Sequence, residues 1–106
     1  MGELLEIVKL VTLSTSHISQ TTVHNLPNGR GDHWGVRGTP DWWPRFARDE
    51  GWLFWVPADE AAFQICYAEA PKDLLDVLMY IRNSGCEWLL LDCDGPTCDV
   101  LYQYDW

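Results

Sequence analysis

From Glu6 to Thr15 the chain reads EIVKLVTLST, with apolar and polar residues partly alternating and many β-branched side chains. A period near two with that composition predicts a strand. Ser19 is placed to cap a short helix over Gln20–Leu26, stopped by Pro27 and Asn28-Gly29. Residues 28–50 carry Gly29, Gly31, Gly35, Gly38, Pro40 and Pro44, which predicts a long loop. Loops of that length within compact domains are usually functional or mobile. The apolar run GWLFWVP, Gly51 to Pro57, predicts a buried strand. In AAFQICYAE, Ala61 to Glu69, the large residues Phe63, Ile65 and Tyr67 recur at every second position, which favours another strand.

The pattern then changes period. Leu74, Val77, Leu78 and Ile81 stand at i, i+3, i+4 and i+7, so residues 71–84 predict an amphipathic helix. Pro71 suits its first position, Asp73 complements its dipole and Gly85 stops it. Asp76, Tyr80 and Asn83 fall on its wet face. Glu87–Cys93 predicts a strand, Asp94-Gly95-Pro96 a turn, and Val100–Tyr104 a last strand forming a hairpin. The order β-α-loop-β-β-α-β-β is best satisfied by a small α/β two-layer sandwich. It would have a mixed sheet of four or five strands covered by about two helices, as one domain over residues 1–106.

Composition supports a folded chain, because 47% of the 106 residues are hydrophobic and 22% charged. Seven tryptophans can anchor a modest core or mark a binding patch. Charge changes the picture more. Residues 1–49 hold five acids and five bases, whereas residues 50–106 hold eleven acids against Lys72 and Arg82 alone. The net charge of −9 therefore lies in the second half. That argues against nucleic-acid binding there, which needs clustered lysine and arginine. It favours docking on a basic partner, or solubility. MGELLEIVKL lacks a basic stretch followed by an apolar core, and no apolar run approaches the ~18 residues of a membrane span. A cytoplasmic protein is expected, with Cys66, Cys86, Cys93 and Cys98 as small buried thiols that stay reduced.

Candidate chemistry is sparse. LLLDCDGPT resembles the first motif of haloacid-dehalogenase-type phosphatases, where Asp92 would attack phosphorus and Asp94 would protonate the leaving group. Pro96 interrupts the motif, and the eleven residues after Gly95 leave no room for the sheet and lysine that family requires. An EF-hand fails for want of a bidentate glutamate, and Cys93 and Cys98 form no C-x-x-C. His17, His24 and His33 lack metal-ligand spacing. The tripeptide Arg30–Asp32 is read as chance. His17, between Ser14, Ser16 and nearby acids, leaves a nucleophile–base arrangement open. No cofactor or metal is expected.

LSTSHIS near the start, GWLFWV, PKDLLDVLMYIRNSGCEWLLLDCDGP and the terminal YDW together resemble a bacterial family known as a domain of unknown function. Its members are short proteins borne on plasmids, phages and integrated elements. The resemblance implies that genomic company and carries no catalytic residues. Joined to the acidity, it implies a non-enzymatic binding protein, an anti-CRISPR-type inhibitor occupying a basic nucleic-acid-binding surface of a host defence effector. The expected contacts are Glu69, Asp73, Asp76, Asp92, Asp94, Asp99 and Asp105, with Trp42 and Trp43. Alternatives are an interaction module with no defence target, or a small hydrolase using His17 or Asp92.

Overall fold

A computed structural model describes residues 8–26, 41–48 and 50–104. The first residues of the expected N-terminal strand, residues 28–40 of the expected loop and Asp105 lie outside them. The described elements are β1 (Leu10–Ser14), a 3-10 turn (Thr15–His17), α1 (Gln20–His24), β2 (Phe46–Arg48) and β3 (Gly51–Trp55). They continue with α2 (Glu60–Cys66), α3 (Lys72–Asn83) and β4 (Trp88–Asp92). This is a small α/β fold with a mixed four-stranded sheet, ordered β1-β4-β3-β2. β1 runs parallel to β4, while β3 is antiparallel to both β4 and β2.

Register decides which residues form the core. Leu13 stands opposite Leu91, Val11 and Phe54 flank Leu89, and Trp52 flanks Leu91 and Ala47, so these share one face. On it, Phe54, Leu89 and Leu91 are fully buried with Leu74, Val77, Leu78 and Ile81 of α3 and Phe63 of α2. Each such side chain contributes roughly 1.5–3 kcal/mol of burial. The other face carries Leu10, Phe46, Leu53, Trp55, Trp88 and Leu90, half-buried or exposed. Gly51 sits where β3 passes β4 so closely that a Cβ would overlap the Leu91 carbonyl.

α3 forms as its stripe predicts, with Asp76, Tyr80 and Asn83 exposed. Pro71 precedes the first helical residue rather than occupying it. The helix ends in a Schellman arrangement: Gly85, at φ 86°, donates to the Arg82 carbonyl and Cys86 donates to Ile81. Ser19 caps α1 as expected, its hydroxyl accepting the Thr22 N–H at 3.2 Å.

Three expectations are corrected. Ala61–Glu69 is not a strand: Glu60–Cys66 is helical, because Asp59 accepts the Ala62 N–H at 2.9 Å and starts a turn. Phe63 and Tyr67 meet at helical i, i+4 spacing, while Ile65 is 72% exposed. Phe46–Arg48, inside the expected loop, is the edge strand β2, paired through Arg48 opposite Gly51. Val100–Tyr104 is not a strand, so no terminal hairpin forms. Both edges of β4 are taken, by β1 and by β3, which leaves no edge for a hairpin partner.

Candidate functional site

The segment after β4 becomes an irregular strap along the 3-10 turn. It starts in a turn where Asp92 Oδ1 accepts the Asp94 N–H at 2.8 Å and the Asp92 carbonyl accepts the Gly95 N–H at 2.9 Å. Ser14 then donates its N–H to the Pro96 carbonyl at 2.8 Å, and Tyr104 donates its N–H to the Ser16 carbonyl at 2.7 Å. Between those ties lies His17, 2% exposed. Its Nε2 accepts the Cys98 N–H at 2.9 Å, which places the ring proton on Nδ1. Nδ1 in turn donates to the Tyr102 carbonyl at 2.9 Å. Both ring nitrogens are thus occupied by strap backbone.

Strap and helix enclose a cleft of about 180 Å³. Val77 and Leu101 line it, Asp73 and Asp76 supply carboxylates, and Tyr102 and Tyr104 form an edge-to-face pair with centroids 4.6 Å apart. Asp73 is fixed: Oδ2 accepts the Ser19 N–H and Oδ1 accepts the Thr22 hydroxyl, both at 2.7 Å. Desolvation pushes its carboxyl up, but the bonds from Ser19, Thr22 and Leu74 outweigh this and hold it below its usual range. Asp76 is exposed and shared with Lys72 at 3.2 Å. Partial burial first, then the charges of Asp73, Tyr102 and Asp76, push the Tyr104 phenol up. Tyr104 therefore sits in the negative field of both carboxylates.

A second cleft of about 240 Å³ lies between α2 and α3, among Phe63, Tyr67, Leu75 and Met79, with Glu60 and Arg82. Arg82 is engaged there, donating to the Ala58 carbonyl at 3.0 Å with its guanidinium 5.5 Å from the Phe63 ring centroid. Tyr67 is likewise structural, donating its hydroxyl to the Trp55 carbonyl.

The remaining sequence candidates separate. Asp92 accepts from Asp94 and pairs with Arg48 at 2.6 Å, and these contacts depress its carboxyl. Asp92, Cys93 and Asp94 place ligand-type atoms within 4.8 Å of one another. The Cys93 thiol is pushed up by desolvation and by the charges of Asp94, Asp92 and Glu50. Glu69, Asp94 and Asp99 are exposed and separate from the cleft, and Asp105 lies outside the described residues. Trp42 belongs to the core, 5.2 Å from the half-buried Trp43. Cys66, Cys86 and Cys98 are half-buried and Cys93 exposed, so none is the buried thiol expected.

Sequence reasoning brought Asp73 and Asp76 together and missed Tyr102 and Tyr104. Their spacing reads as a strand, and only the strap's ties to His17 and Ser16 turn them toward α3. No helix of the described residues is long and apolar enough to cross a membrane. No curated protein and no solved structure gives a match to the chain. Residues 10–106 match the family described as "Family of unknown function (DUF5983) C-terminal domain", and the chain belongs to that family.

Proposed function

We propose that the chain is a non-enzymatic acidic binding protein that docks on a basic surface of a protein partner. The observation that carries this reading is the charge asymmetry: eleven acids against two bases over residues 50–106. Of these acids, Glu50, Asp59, Glu60, Glu69, Asp76, Asp94 and Asp99 are exposed. Such a one-signed surface steers encounter with a basic partner. The engagement of His17 by two backbone groups, and of Asp92 by Asp94 and Arg48, supports a role without catalysis. In its finer form the proposal is an anti-CRISPR-type inhibitor from a mobile genetic element. It would cover the nucleic-acid groove of a host defence effector in the cytoplasm. That form rests on the mobile-element resemblance of the sequence motifs.

The test is capture of the partner from a host lysate, identification by mass spectrometry, and association kinetics with the purified pair. The partner should present a basic groove, and binding should displace its nucleic acid. Glu69→Lys combined with Asp76→Lys should slow association by about tenfold and flatten its salt dependence. Binding that ignores this double reversal but is lost in Trp43→Ala would move the interface to the tryptophan segment and defeat the acidic reading.

A further inference from the structure

The cleft between α3 and the strap gathers what an arginine side chain requires. Val77 and Leu101 offer apolar wall for a methylene stem. Across it stand two carboxylates with different freedom. Asp73 is a fixed negative charge, because Ser19 and Thr22 hold its oxygens. Asp76 is exposed, and its companion Lys72 is more exposed still, a weak surface pair that an incoming cation can displace. The mouth is aromatic: Tyr102 is 72% exposed and meets Tyr104 edge to face. The wall is held in place as well, since His17 ties the strap backbone at Cys98 and Tyr102. An apolar wall, an aromatic pair and two carboxylates line one cleft.

We infer that this cleft receives an arginine side chain of the basic partner, its guanidinium between the Asp73 and Asp76 carboxylates and the two tyrosine rings. The inference rests on the acidic-docking function proposed above and names the contact at its centre. Arginine fits better than lysine. Its planar, weakly hydrated fork pairs with carboxylates and stacks on aromatic faces, whereas an ammonium is compact and strongly hydrated.

The experiment is a titration of the isotope-labelled full chain with nona-arginine peptide, followed by NMR, with nona-lysine in parallel. Saturable shifts of the Tyr102 and Tyr104 ring signals and of the Asp76 amide are expected with arginine, and weaker binding with lysine. Asp76→Asn and Tyr102→Ala should each weaken arginine binding by about threefold or more. Tyr102→Ala keeps the backbone carbonyl that His17 contacts, and unchanged melting temperatures show that both variants are folded. Glu60→Gln, which removes one charge beside the other cleft, should change affinity less than either. If Glu60→Gln costs as much as Asp76→Asn while Tyr102→Ala costs nothing, acidic docking stands and the cleft is overturned. Peptide binding indifferent to all three variants overturns the cleft too. Absence of any arginine binding overturns both the cleft and the acidic docking beneath it.

Discussion

His17 ties the strap to the 3-10 turn through both of its ring nitrogens. With Nδ1 donating to Tyr102 and Nε2 accepting from Cys98, both are engaged by strap backbone. His17→Ala would leave the half-buried Cys98 amide unpaired and open a cavity, at a cost of about 2–4 kcal/mol by chemical denaturation. Hydrogen exchange at the Cys98 and Tyr104 amides should accelerate more than exchange in β4. Equal acceleration in both places would show that the ring does not specifically hold the strap. Asp73 carries a second residue-scale consequence. Its folded carboxyl titrates below the ordinary value of 3.8, so it contributes stability that is fully present above that value. The contribution is lost as the pH falls through the lower, folded value. Melting temperature should therefore drop on acidification below about pH 4, and less steeply in Asp73→Asn. Asp92 is depressed as well and keeps part of the slope in that variant. An unchanged slope in Asp73→Asn would assign the acid sensitivity elsewhere.

At the scale of elements, α3 is the part most legible in advance, because an i, i+3, i+4, i+7 stripe has one good solution. Leu78 is fully buried at the centre of that stripe, while Asp76 faces out. Leu78→Ala should cost about 2–5 kcal/mol and Asp76→Ala less than about 0.5 kcal/mol, read from urea unfolding. Equal losses would place the helix face wrongly. α2 was legible only at its cap. Phe63, Ile65 and Tyr67 satisfy a two-residue period as well as two of them satisfy a helical one, and short apolar runs do not separate the two. Asp59-Glu60-Ala61-Ala62 held the better signal, an N-cap followed by strong helix formers. β2 has three residues and pairs only at the edge, so nothing in its own composition sets it apart from a loop.

Over the whole molecule, charge acts as a field. A net charge of −9 gathered in one half repels itself, and the compact state feels that repulsion more than the unfolded chain does. Sodium chloride raised from about 0.02 M to about 0.3 M shortens the screening length and should raise the melting temperature by a few degrees. A fall in melting temperature would mean that paired charges, such as Arg48 with Asp92, outweigh the repulsion. The same field gives the proposed docking its salt dependence, so stability and association should respond to salt in opposite directions.

What the chain determined by itself was whatever depends on local period and local punctuation. The α/β class, the α3 stripe, the Ser19 cap, the Gly85 stop and the strands read at 51–57 and 87–93 are all short-range signals, and each is present in the fold, the strands at 51–55 and 88–92. The resemblance of its motifs to a family of unknown function was legible in the same way, and the match over residues 10–106 agrees with it. Tertiary structure decided what depends on partners distant in sequence. β4 became the interior strand because β1 and β3 took its two edges, and that denied Val100–Tyr104 a hairpin. His17 then captured the displaced segment through carbonyl and amide groups that every residue possesses, so no pattern of side chains could announce the contact. The cleft follows from that capture: Asp73 and Asp76 are set by helix period, whereas Tyr102 and Tyr104 reach them only because a buried imidazole needs two backbone partners.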